Sequence, residues 1–229
     1  MSQPIIKAEN LIKSFKSGSS ELVVLKGLDL SVSAGEFLAI TGRSGSGKST
    51  MLYQLGLLDR PTSGTIEIEG LDVGKLSDEE RTRFRLNELG YVFQDYALLP
   101  ELSAFENVLL PLLMQGLTKL AAGEKAKLAL EKIGLSSRFN NLPSQLSGGE
   151  QQRVSIARAI AHEPKIIFAD EPTANLDAET AKVVLDAFLS LNADGQTIVM
   201  VTHEPEYAAL THRIVHLAEG IIEEDGKNH

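Results

Sequence analysis

The chain contains no cysteine. This absence excludes disulfide bonds, thiolate metal sites and thiol redox chemistry. Basic residues are also in deficit, since 22 Lys and Arg against 31 Asp and Glu give a formal net charge of −9. A broad nucleic-acid surface needs a basic field, so we expect no nucleic-acid partner.

Long apolar runs are lacking as well. The most apolar segment, 108–114, contains Pro111 and falls far short of the roughly 20 residues that span a bilayer. The stretch Met1–Lys7 has neither the basic start nor the apolar core of a signal peptide. We therefore expect a cytoplasmic chain that reaches the cell membrane only through a partner subunit.

The pattern of apolar residues predicts strands at both ends of the chain. Apolar and polar residues alternate over 28–33 and 65–69, which is typical of half-buried strands. The continuous apolar stretches 37–40 and 166–169 instead predict buried strands, and 197–201 predicts a further strand. The order of strand 166–169, a helix over 178–191 and strand 197–201 indicates a parallel sheet.

The middle of the chain has helical signals. Ser77 with Glu80 and Ser103 with Glu106 match the helix capping box, and the stretch 118–133 is rich in helix-forming residues. The fold class is therefore α/β, with a mostly parallel sheet, an N-terminal antiparallel β part and an inserted α-helical subdomain.

We expect a single domain over 1–229. Its core would be formed by 1–94 and 158–229, and the helical subdomain by 95–157. At 229 residues the chain is long enough for one sizeable core but cramped for two.

The segment Gly42–Ser49 fits the phosphate-loop pattern G-x-x-x-x-G-K-[ST] and lies between a predicted buried strand and a predicted helix. Glycines let successive amides surround a phosphate, Lys48 would bridge the β and γ phosphates, and the Ser49 hydroxyl would bind Mg²⁺. The predicted nucleotide-binding residues here are Gly42, Ser44, Gly45, Ser46, Gly47, Lys48, Ser49 and Thr50.

Two carboxylates follow the predicted strand 166–169. Asp170 would supply a second protein ligand to Mg²⁺, and Glu171 would act as general base by polarising the attacking water. The alternative is a solvent-exposed pair of acidic residues at a strand end. The apolar strand before the pair and Pro172 after it favour a shaped site.

A second Gly-rich stretch, Leu146–Arg153, reads Leu-Ser-Gly-Gly-Glu-Gln-Gln-Arg. Together with the phosphate loop and the Asp170-Glu171 pair, it resembles the nucleotide-binding subunits of ATP-binding cassette (ABC) transporters. The resemblance covers nearly the whole chain and extends to Gln94, the Ala-Asn-Leu-Asp stretch 174–177 and His203. It implies a RecA-like phosphate-loop NTPase that hydrolyses ATP with Mg²⁺.

The resemblance also implies a dimer of two copies packed head to tail. The stretch Leu146–Glu150 matches the signature sequence of this family. Each ATP would lie between the phosphate loop of one copy and the signature of the other, where Ser147, Gly148, Gly149 and Glu150 would contact it. A membrane-spanning permease subunit would hold the dimer at the cytoplasmic face of the membrane.

Four further residues have family roles and plainer alternatives. His203 would hydrogen-bond the γ-phosphate and orient Glu171 and the water; the alternative is a histidine that only caps the strand end. Gln94 would contact Mg²⁺ or water and sense the nucleotide; the alternative is an ordinary surface residue. Phe15 would stack on adenine or belong to the core. Asp177 would form part of a loop across the dimer, cap the following helix, or both.

The apolar residues that follow Gln94 are Tyr96, Ala97, Leu98, Leu99, Leu102 and Phe105. Most are expected to be helical-subdomain core, while some would line a groove for a cytoplasmic helix of the membrane subunit. The stretches Gly90–Pro100, 106–112 and Val201–Pro205 resemble the lipoprotein-release and macrolide-export type.

Three alternatives stay open. One is an ATPase in a transporter-like signalling complex that regulates cell-wall or cell-division enzymes. A ribosome-acting ATPase of this family would normally join two cassettes, and a DNA-repair member would insert a long coiled coil between phosphate loop and signature. The chain has one cassette, with only about a hundred residues between the two motifs.

Overall fold

The computed structural model describes residues 3–18 and 20–228. They form two compact units. One consists of the chain up to Thr82 and from Gly195 onward, and the other of Arg83–Asp194. Within the described ranges, no helix is both long enough and apolar enough to cross a lipid bilayer.

The strands, in chain order, are β1 (Ile6–Ser17), β2 (Ser20–Val32), β3 (Phe37–Thr41), β4 (Ser63–Ile68), β5 (Leu71–Asp72), β6 (Leu89–Val92), β7 (Ile166–Asp170), β8 (Thr197–Val201), β9 (Arg213–Ala218) and β10 (Ile221–Lys227). The α-helices are α1 (Lys48–Leu55), α2 (Asp78–Glu88), α3 (Ala104–Met114), α4 (Lys119–Lys132), α5 (Gly148–Ile160), α6 (Ala178–Ala193) and α7 (Pro205–Ala208).

An antiparallel sheet in the first unit has the order β2-β1-β4-β5. Ile6 of β1 lies opposite Val32 of β2 on one side and Ile68 of β4 on the other. Leu28 and Leu30 are buried together with these residues, while the polar residues between them are exposed. The predicted antiparallel β part is confirmed.

The other strands of the first unit lie in the order β10-β9-β3-β8. β3 pairs in parallel with both β8 and β9, and β9 pairs antiparallel with β10. Phe37–Ile40 and all of β8 are buried, as expected for strands covered on both faces. The carboxyl ends of β3 and β8 lead directly to Gly42 and to Thr202-His203.

The second unit pairs β6 with β7 in parallel, from Leu89 opposite Ile166 to Val92 opposite Ala169. It also contains α3, α4 and α5, which confirm the inserted helical part. In the capping box of α3, the Glu106 amide donates to Ser103 Oγ at 3.2 Å and the Ser103 amide to Glu106 Oε2 at 2.9 Å. The predicted box at Ser77 is present as well.

This unit is larger than the predicted helical subdomain, because it also includes β6, β7 and α6. The single domain over 1–229, with a core of 1–94 and 158–229 and a helical subdomain of 95–157, stays a prediction. The helix α5 continues to Ile160 and therefore crosses the predicted boundary at 157.

The apolar run after Gln94, which has five residues before α3 and Phe105 inside it, does not form core. None of its six residues is fully buried, and Leu99 is 46% exposed. The ring of Phe105 lies 6.3 Å from that of Phe139 but keeps part of its surface accessible. The expectation that most of these side chains are core is wrong, because the connection leading to α3 runs along the surface of its unit.

Candidate functional site

The phosphate loop connects β3 to α1 through glycines in left-handed conformations. Gly42, Gly45 and Gly47 have φ values of +143°, +80° and +105°, which L side chains rarely adopt. A Cβ on Gly42 would lie 2.1 Å from the carbonyl oxygen of Leu217, so no side chain fits there. A Cβ on Gly45 would meet nothing within 4 Å, which leaves open space on that side of the loop.

Lys48 and Ser46 place polar groups inside this loop. The buried Lys48 Nζ donates to the carbonyl oxygens of Gly42 and Arg43 at 3.0 and 3.1 Å. The Ser46 hydroxyl is buried and has no hydrogen-bond partner among the described residues. Buried hydroxyls usually have partners, so a phosphate oxygen would satisfy this group. Ser49 and Thr50 follow, half-buried, in the first turn of α1.

The start of α1 is compatible with a bound anion. Gly47 is its N-cap residue, no side chain caps the helix, and its first turn contains no acidic residue. No carboxylate of that turn therefore competes with a bound anion for the free amides and the positive end of the helix dipole. The exposed side chain of Ser44 lies in the loop before them.

Phe15 and His203 also belong to the first unit. The Phe15 ring, near the end of β1, is 44% exposed, so the alternative that it is a core residue is wrong. His203 follows β8 and is also exposed, with Nε2 3.1 Å from Glu204 Oε1. Thr202 fixes this turn by accepting a hydrogen bond from the Glu204 amide at 3.1 Å.

Asp170 and Glu171 lie at the end of β7 in the second unit. Asp170 is the last strand residue and is buried, whereas Glu171 is half-buried with a φ of +43°. A left-handed glutamate costs about 1–3 kcal/mol, and such strain is concentrated at functional sites. Pro172, which follows, is buried, so the acidic pair does not end an open surface strand.

Ser147 begins the signature helix α5 with a capping box. Its Oγ accepts from the Glu150 amide at 3.2 Å, and Glu150 Oε2 accepts from the Ser147 amide at 2.9 Å. Glu150 Oε1 accepts from Arg138 Nε at 2.7 Å. The hydrogen bond from Arg138 and that from the Ser147 amide lower the pKa of the Glu150 carboxyl. Glu150 thus shapes the start of the helix, and its contact with nucleotide stays a prediction.

Packing also requires glycine at 149 and crowds position 148, which the sequence did not indicate. A Cβ on Gly148 would lie 2.9 Å from the Tyr96 hydroxyl oxygen. A Cβ on Gly149 would lie 2.0 Å from Cγ2 of Thr180 in α6. The close approach of α5 to α6 therefore needs glycine at 149 even without a nucleotide.

This packing predicts a stability defect that a second substitution repairs. Gly149→Ala is expected to lower the free energy of unfolding by about 1–3 kcal/mol through overpacking. Adding Thr180→Ser removes the clashing methyl group but keeps the hydroxyl that donates to Asp177 Oδ2 at 2.8 Å, so stability should partly return. Denaturant unfolding of both variants measures the effect.

Gly123→Ala is a matched control for this pair. Gly123 lies inside α4, where an added Cβ would meet only Phe105 Cζ at 3.7 Å, an ordinary contact. The control should be neutral or more stable, because alanine favours helix over glycine. A Gly149→Ala variant as stable as the unchanged protein would contradict the packing account.

Gln94 and Asp177 lie in two loops that are joined by a hydrogen bond. The exposed Gln94 follows β6, and its carbonyl oxygen accepts from Asn175 Nδ2 at 3.0 Å. Asp177 caps α6, since Oδ1 accepts from the Thr180 amide at 2.9 Å, and this bond lowers the pKa of the carboxyl. Its capping role is confirmed, while its role across a dimer stays a prediction.

Arg158 is a further residue of this region that sequence reasoning missed. Its guanidinium donates to the carbonyl oxygen of Tyr96 at 2.9 Å and to that of Ala97. Tyr96 and Ala97 have φ values of +63° and +48°, so the arginine of α5 holds a strained turn just after Gln94. Burial lowers the pKa of Arg158. No sequence signal distinguishes this arginine from an exposed one.

Comparison with known proteins agrees with this geometry. The structure matches the dimeric ATP-binding cassette MJ0796, solved in a post-hydrolysis state with ADP and Pi, with a TM-score of 0.91 and 41% identity. The match covers 98% of this chain and 99% of the other. It confirms the predicted phosphate-loop NTPase fold.

Two relatives extend the comparison. The lipoprotein-releasing system ATP-binding protein LolD of Aquifex aeolicus is 50% identical over 95% of this chain and 96% of its own length. The macrolide export ATP-binding/permease protein MacB of Syntrophobacter fumaroxidans is 45% identical over 96% of this chain and 31% of its own length. The ABC transporter family model matches residues 25–174. The chain therefore belongs to the ABC transporter family and is one of its ATP-hydrolysing subunits.

Proposed function

We propose that two copies of the chain bind two ATP molecules head to tail, each ATP held by the phosphate loop of one copy and the signature of the other. The observation that carries the proposal is the likeness, over nearly the full chain, to a cassette that was solved as a dimer with ADP and Pi. Cleavage of the γ-phosphate would remove the group that both copies contact, and so release the dimer.

The proposed roles around the phosphates follow from the chemistry of each group. Lys48, with the loop amides and the hydroxyl groups of Ser46 and Thr50, would neutralise the β and γ phosphates. Glu171 would accept a proton from the attacking water, and His203 would hydrogen-bond the γ-phosphate and keep that water aligned. Ser44, Gly42, Gly45 and Gly47 complete the cradle.

The donors Ser49, Asp170 and Gln94 fit Mg²⁺, because hydroxyl, carboxylate and amide oxygens are its preferred protein ligands. No cluster of three or more His, Cys, Asp or Glu side chains that could hold a metal occurs among residues 3–18 and 20–228. This suits an ion that takes most of its ligands from phosphate and water. Bound Mg²⁺ would supply charge neutralisation at the β and γ phosphates.

The remaining predicted contacts complete the proposed nucleotide site. Phe15 would stack on adenine, and Asp177 would lie in the loop that faces the second copy. Ser147, Gly148 and Gly149 would present hydroxyl and amide groups to the γ-phosphate. For Glu150 we propose a contribution to nucleotide binding through the helix start that it stabilises.

We further propose a membrane-spanning permease subunit as partner, which places the dimer at the cytoplasmic face of the membrane. The second unit exposes several large apolar side chains. They include Leu99, Leu110, Leu113, Met114 and Leu120. Exposed apolar patches mark protein-interaction sites, and we propose that these side chains belong to one. The names of the relatives favour lipoprotein release or macrolide export as the process served.

Co-purification tests this partner directly. A tagged chain is expected to retain a permease subunit from detergent-solubilised membranes, identified by mass spectrometry. Leu99→Asp with Met114→Asp should abolish retention, whereas Leu71→Asp, an equally exposed leucine in the first unit, should not. Unchanged retention by the stably folded double variant would contradict the proposed surface.

A further inference from the structure

The ring of Phe15 is covered on one face by a lysine ammonium. Lys13 Nζ lies over the ring, 4.9 Å from its centroid. Both residues belong to β1, and their side chains meet on the same side of that strand. The Lys13 side chain is only 12% exposed, whereas Phe15 is 44% exposed. The cation is therefore shielded while the aromatic ring still has accessible surface.

Lys13 is held in this position by the segment that follows α1. Its Nζ lies 2.7 Å from Asp59 Oδ2 and donates to the carbonyl oxygen of Arg60 at 2.8 Å. Burial raises the pKa of Asp59, but hydrogen bonds from Lys13, the Arg60 amide and Gln54 outweigh it, so the pKa lies below its ordinary value. The carboxylate thus stays ionised and keeps the ammonium in place.

The same carboxylate connects Lys13 to the phosphate-loop helix. Gln54, fully buried in the last turn of α1, donates from Nε2 to Asp59 Oδ2 at 3.0 Å. Because α1 begins at Lys48, a continuous set of polar contacts runs from the phosphate-loop helix through Gln54, Asp59 and Lys13 to the Phe15 ring. The position of the ring is thereby tied to the element that carries the phosphate site.

We propose that Lys13 is a positioning residue for the nucleotide base. This inference rests on the proposed stacking of adenine on Phe15. With one face of the ring occupied by a cation, the accessible face must receive the base. The attraction between the ammonium and the ring holds the ring in place, so that its other face is presented to the base.

A test must distinguish this role from a structural ion pair. We compare the affinities for Mg²⁺-ADP and for Mg²⁺-pyrophosphate by calorimetry, because only the first ligand carries a base and neither is hydrolysed. Lys13→Met is expected to weaken ADP binding about twofold to tenfold. Pyrophosphate binding should not change. Lys13→Arg, which keeps the cation, should recover most of the loss.

Lys7→Met is the matched control. Lys7 lies in the same strand and forms an ion pair with Glu9 at 2.7 Å, but it does not contact the ring. Its replacement should change neither affinity. Lys13→Met combined with Asp59→Asn removes both charges, so it avoids an unpaired carboxylate should the single variant fold poorly. The double variant should show the same selective loss for ADP.

A double-mutant cycle with Phe15→Ala assigns the effect to the ring. The Lys13→Met loss should disappear when Phe15 is absent. The inference would be overturned if Lys13→Met weakened the binding of ADP and pyrophosphate equally, or weakened neither. It would also be overturned if the loss of ADP affinity persisted in the Phe15→Ala background. If Phe15→Ala weakens ADP binding and Lys13→Met does not, only the inference fails. If Phe15→Ala has no effect on ADP, the proposed adenine stacking fails as well.

Discussion

Replacing Glu171 by glutamine is expected to slow ATP turnover by a factor of about 10² to 10⁴ while ATP still binds. The amide has the size of the carboxylate but cannot accept the proton of the attacking water. Glutamine is no worse suited than glutamate to the φ of +43°, so the fold should be retained. With Mg²⁺ and ATP, the variant should accumulate as a dimer.

Steady-state phosphate release and size-exclusion chromatography measure these two effects. Glu163→Gln is a matched control, since Glu163 also has a left-handed backbone, with a φ of +59°, and forms an exposed ion pair with Lys125 at 2.8 Å. That variant should hydrolyse ATP at the unchanged rate. Appreciable turnover by Glu171→Gln would contradict the assignment of the base.

The second large effect is expected at Lys48. Lys48→Met should weaken ATP binding about 10-fold to 100-fold, because hydrogen bonds to charged groups contribute about 1.5–3 kcal/mol. The buried ammonium now donates to two carbonyl oxygens of the loop, and the same donors would reach phosphate oxygens when ATP is bound. Calorimetry in a Glu171→Gln background avoids consumption of the ATP.

A surface lysine controls for the loss of charge. Lys132 is half exposed and pairs with Asp194 at 2.6 Å, so Lys132→Met should leave ATP affinity unchanged. If the Lys48→Met variant bound ATP as tightly as the protein with Lys48, this result would show that Lys48 does not bind the phosphates.

Much of the fold was predictable because the relevant signals are local. The continuous apolar stretch Phe37–Ile40 next to the Gly-rich loop predicts a buried strand that ends at a phosphate site. The Ser103-Glu106 and Asp177 caps mark helix starts through contacts within three residues. Such features need no knowledge of the tertiary structure.

The packing around the signature could not be predicted in this way. Gly149 matches the family motif, but its contact with Thr180 depends on how α5 packs against α6. Arg158 likewise acts on a turn far away in the sequence, and Lys13 meets Asp59 only after β1 and the segment following α1 come together. The sequence contains these residues without indicating their partners.

For the apolar run after Gln94, the structure contradicts the prediction made from the sequence. Hydrophobic composition predicted core for most of its side chains, yet they stay partly accessible. Composition alone does not distinguish residues buried within a unit from those kept for a partner surface. The burial of each side chain, which only the structure provides, separates the two cases.

In the proposed dimer each ATP site is built from two copies, and mixing two inactive variants tests this arrangement most directly. Lys48→Met removes the phosphate-loop cation, and Ser147→Arg places a bulky side chain at the exposed start of α5. In an equimolar mixture about half the dimers are mixed, and each mixed dimer has one intact site, so about a quarter of the original ATPase activity should return. A mixture no more active than either variant alone would contradict a site shared between copies.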